Sequence, residues 1–320
     1  MGIPPTPVRD SAVESRSRDD NNAQRESPSF LLPVDDQTFL LSDEMRSLRF
    51  AMEYTKAELG LRKACICSTI VVFGSARAPS PERMEELRSL RTRGDSDLDT
   101  LSRRVVDYQR ARSFARLVSL QGGALNASKG CGENVIATGG GPGIMEAANR
   151  GAMEAGAPSI GFNITLPTEQ QPNAYTTPGL TFRFHYFAMR KMHLAMRANA
   201  LAVFPGGFGT LDELFEILTL LQTRKAPPLP VILFGREYWS KVIDFEALAA
   251  HGMISRSDLR LFTVVDEPAE GWDALCAHGL TAHLPVSRPE PGKDHCDRGV
   301  GQQSTIASQL DEAKGGWQCV

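Results

Sequence analysis

An α/β fold with a parallel sheet covered by helices on both faces is what this sequence of 320 residues predicts. Three observations predict it. Short β-branched apolar runs alternate with helix-like stretches from about residue 68 to 278. The runs lack the alternating polar positions of a half-solvated sheet, so they read as strands buried on both faces. Glycine-rich turns follow three of the runs and lead towards a helix, as β-α-β units require.

Phe39 to Leu61 reads as an amphipathic helix. Ser68 to Phe73 is a β-branched run ending in Gly74-Ser75, hence a buried strand. Asp97 to Leu120 reads as a long helix. Asn134 to Thr138 is a strand that ends at Gly139–Gly143, and Ile144 to Ala155 is the helix after it. Ser159 to Asn163 and Thr181 to Tyr186 are strands. The latter leads into a helix through Arg190 and Arg197. Ala200 to Phe204 is a strand, Leu211 to Leu221 a helix, and Val231 to Phe234 another strand. A helix over 237–250, the strand Thr263 to Val265 and a helix over 268–278 complete the pattern. Residues 1–36 and 285–320 are rich in Pro, Ser, Gly and polar residues with little to bury. They are expected to be disordered tails around a single domain, 37–284.

Composition limits the function. The chain is 42% hydrophobic and 23% charged, with a formal net charge of −3. No basic excess suits a nucleic-acid backbone or an anionic membrane surface. No apolar run reaches the length of a membrane span, and the N-terminus lacks the apolar core of a signal peptide. These features predict a cytoplasmic protein without nucleic-acid or membrane partners. The six cysteines are scattered, and reduced thiols are the simplest reading. Cys276, His278, His283, His295 and Cys296 fit no standard zinc spacing, and neither metal nor cofactor is expected.

The chemistry concentrates at the strand ends. Gly206, Gly207 and Gly209 lie between the Ala200–Phe204 strand and the next helix, with Thr210 behind them. Glycines there let a backbone approach an anion closely, and unpaired N–H groups at the helix start can hold a phosphate. Glu213, one helical turn on, would set a carboxylate beside that phosphate. Thr210 and Glu213 also match a helix capping box, which alone would account for both. Ser75 and Arg77 could touch phosphate or ribose, or could simply form a turn. Glu146 and Asn149 could face the same pocket. Gly139–Gly143 does not match the dinucleotide fingerprint and there is no Walker motif, so neither a dehydrogenase nor a P-loop ATPase is supported.

Four segments together carry a resemblance: Phe73-Gly74-Ser75-Ala76-Arg77, Gly139 to Asn149, Phe187-Ala188-Met189-Arg190-Lys191, and Pro205 to Glu213. They resemble the LONELY GUY (LOG) family, often mislabelled lysine decarboxylases, over roughly residues 40–282. The resemblance implies a Rossmann-like fold and hydrolysis of the N-glycosidic bond of a nucleoside 5′-monophosphate. Cytokinin riboside 5′-monophosphates are the best-known substrates, giving free base and ribose 5-phosphate, and AMP is a related one. In family terms Arg190 and Glu213 match the catalytic pair, and Gly206, Gly207, Gly209 and Thr210 the phosphate loop. Ser75, Gly140, Gly141 and Met189 are expected to complete the nucleotide site. The resemblance also implies a homo-oligomer, dimer or hexamer. The alternative is a non-catalytic nucleotide or cofactor carrier of the same fold. A pyridoxal-phosphate decarboxylase would need a reactive lysine, for which Lys191 is available.

Overall fold

The computed structural model describes residues 21–90, 97–125, 131–167 and 171–280. The expected tail 285–320, and residues 1–20 of the expected segment 1–36, lie outside the described residues. The chain divides after Met52 into two compact units.

The first unit holds helix α1 (Asn22–Arg25), a 3-10 turn at Pro28–Phe30, helix α2 (Gln37–Leu41) and a second turn at Asp43–Met45. Helix α3 (Arg46–Lys63) follows. The expected single helix from Phe39 to Leu61 is therefore broken. The break is at Ser42, which is extended at ψ 158°. Ser42, Asp43 and Glu44 favour a helix start, where their oxygens and charge meet unpaired N–H groups. The Arg49 guanidinium donates to the Leu40 carbonyl, freed by the break, at 2.8 Å.

The second unit is built on seven strands: β1 (Thr69–Phe73), β2 (Val135–Thr138), β3 (Ser159–Ile164), β4 (Thr181–Phe184), β5 (Ala198–Val203), β6 (Val231–Phe234) and β7 (Phe262–Val265). They form one sheet in the order β4-β3-β2-β1-β5-β6-β7. Every pairing is parallel. The helices between them are α4 (Pro81–Leu90), α5 (Asp97–Gln121), α6 (Ile144–Glu154), α7 (Phe187–Met196), α8 (Phe208–Gln222), α9 (Arg236–Val242), α10 (Phe245–Ala250) and α11 (Pro268–Ala277).

Side chains that alternate along each strand feed two cores. Val71, Phe73, Leu201 and Val203 pack with Leu194 of α7 and with Leu214 and Ile217 of α8. Ile70, Val72, Ala200 and Ala202 pack with Phe114 of α5, Ile144 of α6 and Leu275 of α11. Burial on both faces explains the unbroken apolar runs. No helix among the described residues is long and apolar enough to cross a membrane.

Two helical expectations are corrected. The expected helix over 237–250 is two helices, because Asp244 interrupts it and its carboxylate accepts the Ala247 N–H at 2.8 Å. Helix α4 was not expected, although Ser80 and Pro81 form a standard helix start. Ser80 Oγ accepts the Arg83 N–H at 3.2 Å.

The cysteine expectation is also corrected. Cys67 and Cys131 form a disulfide across 64 positions of sequence. It lies beside the bridge that pairs Ile66 with Gly132. Strand pairing brings the two Cα atoms to 5.7 Å, within the range a disulfide needs. Nothing in the spacing of the cysteines reports that pairing.

Helices α5 and α6 pack closely, and Gly151 makes this possible. A Cβ on Gly151 would overlap the carbonyl oxygen of Arg112. Backbone cannot yield as a flexible side chain does. Gly151→Ala is therefore expected to destabilise the protein by about 1–3 kcal/mol, the scale of overpacking. Thermal melting would show this, and an unchanged midpoint would mean that the helices separate without cost.

Candidate functional site

The strand order places the site. The chain runs outward from β1 through β2, β3 and β4, then crosses to β5 on the other side of β1. The carboxyl ends of β1 and β5 thus flank a switch point, where open parallel sheets leave a crevice for ligands. Ser75 N–H donates to the Pro205 carbonyl at 2.9 Å, tying the two strand-end turns together. A cleft of about 1380 Å³ opens there. Its lining includes Ser75, Arg190, Gly206, Gly207, Gly209, Thr210 and Glu213.

The turn after β5 leads into α8 with Gly207 as the N-cap residue, and no side chain caps the helix. Thr210 N–H and Leu211 N–H both turn back to the Gly207 carbonyl, each at 3.0 Å. The N–H groups of Phe208 and Gly209 come before these and have no preceding turn to bond. They point out of the helix end, where the helix dipole also favours an anion. The capping-box reading of Thr210 and Glu213 is thereby corrected. The helix begins two residues before Thr210, so Thr210 lies inside its first turn. Tyr238 O–H donates to the Gly206 carbonyl at 2.5 Å and fixes the turn from α9.

Glu213 is 6% exposed. Burial pushes its carboxyl up to about 7, against the opposing pull of Arg190 and then Lys191. A carboxylate in a desolvated pocket near a cation can exchange a proton close to neutral pH. Arg190, on the first turn of α7, donates from Nε to the Phe162 carbonyl at 2.8 Å. A Cβ on Gly139 would overlap its Nη2. The absent side chain at Gly139 is what lets the guanidinium lie over the end of β2. Burial lowers the Arg190 pKa, and Glu213 and then Asp212 oppose that.

Other expected residues stand apart from this lining. Gly140 and Gly141 are held from the far side. Asn163 Nδ2 donates to the Gly140 carbonyl at 3.1 Å and Asn173 Nδ2 to the Gly141 carbonyl at 3.0 Å. Met189 packs against the apolar core. Asn149 is fully buried and accepts from Thr138 Oγ1 at 2.7 Å, so it braces β2 instead of facing the cleft. Glu146 accepts the Tyr108 O–H at 2.8 Å. Ser75 Oγ accepts the Arg77 N–H at 3.1 Å, which is turn chemistry, yet Ser75 still lines the cleft.

Sequence reasoning missed Asn163, Asn173 and Tyr238, whose partners are distant in sequence. It also missed Arg103, Arg104 and Asp107 of α5, which line the cleft. Their i, i+1, i+4 spacing on one face of a helix was a usable signal. Lys191 is paired with Asp212 at 2.7 Å and Glu216 at 2.9 Å. Burial draws its pKa down, but the two carboxylates outweigh this and the net shift is upward. A Schiff-base lysine needs the opposite shift.

Residues 145–275 match the family model described as "Possible lysine decarboxylase". A rice protein (Oryza sativa subsp. japonica), named "Probable cytokinin riboside 5'-monophosphate phosphoribohydrolase LOGL5", is 28% identical over 148 residues. The match covers 45% of this chain and spans 58% of that relative's length. Two solved structures overlap more loosely. The molybdenum cofactor binding protein of Rippkaea orientalis is 17% identical at a TM-score of 0.40, over 66% of this chain and 94% of that one. The Moco carrier protein of Chlamydomonas reinhardtii is 20% identical at 0.38, over 66% and 98%. At that level nothing about this chain's activity follows from them. The family match and the rice relative together show what the motifs carried, a resemblance of this chain to the LONELY GUY (LOG) family.

Proposed function

We propose that this chain is a nucleoside 5′-monophosphate N-ribohydrolase that acts on cytokinin riboside 5′-monophosphates and AMP. The observation that carries the reading is Glu213: a buried carboxyl raised to about 7, in one cleft with an unpaired helix N-terminus and Arg190. The phosphate sits on the N–H groups at the start of α8. Binding there fixes the ribose against Glu213 and turns affinity into positioning. As the C1′–N bond lengthens, its electron pair moves to the base nitrogen and positive charge builds on the ribose ring. The Glu213 carboxylate faces that charge and accepts a proton from the attacking water, whose oxygen bonds to C1′. The departing base takes up a proton from solvent, Glu213 returns the proton it accepted to solvent, and ribose 5-phosphate remains. Arg190 keeps Glu213 ionised by charge.

A carrier of the same fold would use the cleft but give Glu213 no task. Burying a carboxylate costs stability, and a carrier gains nothing in return. Incubation with AMP, adenosine and isopentenyladenosine monophosphate, followed by chromatography of the free base, tests the reading. The 5′-monophosphates are expected to be cleaved about tenfold faster than the nucleosides, or more. That factor is the worth of one charge-assisted hydrogen bond between the phosphate and the α8 turn. Equal rates on adenosine and AMP would remove the role of that turn, and no release at all would leave the carrier. Family resemblance also supports a homo-oligomer. Phe208, 92% exposed at the start of α8, is an apolar group that a second copy could cover.

A further inference from the structure

The cleft is larger and more cationic than a nucleoside monophosphate requires. Small-molecule sites commonly hold roughly 300–1,000 Å³, and this one measures about 1380 Å³. Seven of its described lining residues are Arg or Lys, against four Asp or Glu, in a chain whose net charge is −3. Several of these charges cancel locally. Arg236 pairs with Asp266 at 3.3 Å, and Lys241 with Glu237 at 2.6 Å. Arg110 pairs with Glu267 at 2.8 Å, and Arg190 faces Glu213.

Arg77 and Arg104 remain, with Arg103, which shares the Glu237 carboxylate with Lys241. Arg77 belongs to the turn after β1, next to the phosphate turn of β5. Arg103 and Arg104 share a face of α5 with Thr100 and Asp107, at the i, i+3, i+4, i+7 spacing of one helical stripe. Further along, the same side of α5 carries Tyr108, Ala111, Phe114, Ala115 and Val118, all fully buried. The side of α5 that packs on the core therefore runs, at its N-terminal end, into the cleft, where Thr100, Arg103, Arg104 and Asp107 line it. The remaining carboxyl, Asp107, is half-buried on that stripe. Burial pushes it up to about 6 despite Arg110, so it offsets little of the cationic charge below that pH.

We propose that Arg77, Arg103 and Arg104 form a second anion subsite in the cleft, which takes a further phosphate of the nucleotide. The ligand class is then a nucleotide with two or more phosphates, such as a nucleoside 5′-diphosphate. This rests on the reading that the α8 turn holds the first phosphate. An arginine is suited to the role because its planar fork can meet two phosphate oxygens at once.

Calorimetric titration of the full chain with AMP and ADP tests it. ADP is expected to bind about tenfold tighter than AMP, with a steeper loss of affinity as salt is raised. Arg104→Ala and Arg77→Ala are expected to remove most of that advantage while AMP affinity stays within about twofold. Two results overturn the proposal: ADP no tighter than AMP, or an advantage that survives both substitutions. Equal weakening of AMP and ADP also overturns it, because the arginines then act only as a diffuse attractive field. If AMP is neither bound nor cleaved, the hydrolase reading fails on its own. The subsite then stands or falls on inorganic pyrophosphate, whose binding must depend on Arg77 and Arg104.

Discussion

Glu213→Gln is expected to remove most turnover and, at the same time, to make the protein more stable above neutral pH. The loss follows from the proposed chemistry. An amide neither accepts the water proton nor faces a developing cation with a full negative charge. A fall on the order of a hundredfold or more is the usual scale for such a group. The gain follows from burial. The carboxyl has an ordinary value of 4.5 and is pushed up to about 7 in the folded protein. The folded state thus holds the proton more tightly than the unfolded state does. Its contribution is most favourable below 4.5 and is lost as pH rises from there to 7. Above 7 the penalty of a buried charge is complete. Gln carries no such penalty, so the variant should match the parent near pH 4 and exceed it at pH 8. The difference is on the order of 1–3 kcal/mol, or a few degrees in melting temperature. Melting curves at both pH values beside AMP turnover at pH 8 would check it. A variant that keeps its turnover, or loses stability at pH 8, would show that Glu213 is structural.

This trade also explains why Glu213 was hard to read from sequence. Thr210 and Glu213 have the spacing of a capping box, and sequence alone left that reading open beside the catalytic one. The structure separates them because the helix starts at Phe208, with Gly207 as its cap. The three glycines permit that early start, and a propensity argument alone would begin the helix at the first strong former, Leu211. The strands were legible for a different reason. A parallel strand buried on both faces must be apolar throughout, and its carboxyl end must turn sharply, so β-branched runs followed by glycine stand out.

What sequence could not supply was adjacency. Nothing local says that β1 neighbours β5 as well as β2, and that choice makes the cleft. The Cys67–Cys131 disulfide likewise depends on β1 lying beside β2, the Asn163 and Asn173 braces on the Gly139–Gly143 turn on β2 lying beside β3, and the Arg190 bond to Phe162 on α7 packing against β3. Each joins residues far apart in the chain. Glu146 and Asn149 show the converse. Their spacing suggested a shared pocket, but the buried Thr138 hydroxyl and the Tyr108 phenol claim them.

Arg190→Met should leave a distinct mark, because Arg190 acts in the proposed reaction through Glu213. Of the charges that oppose the rise of the Glu213 carboxyl, Arg190 ranks first. Removing the guanidinium leaves burial less opposed, so Glu213 should hold its proton to higher pH. At pH 7 less of the enzyme then carries the basic carboxylate, and turnover is expected to fall on the order of a hundredfold. Raising the pH should recover part of that loss. The acid limb of the pH–rate profile should move upward from about 7, a shift that an unfolding or packing defect would not produce. Arg190→Lys separates charge from shape. Lysine restores a cation but not the planar fork whose Nε reaches the Phe162 carbonyl, so the limb should return towards its original position while turnover stays low. Profiles of the parent and both variants with AMP, taken beside their melting temperatures, decide it. If the methionine variant loses turnover equally at every pH, Arg190 binds the substrate directly and does not tune Glu213.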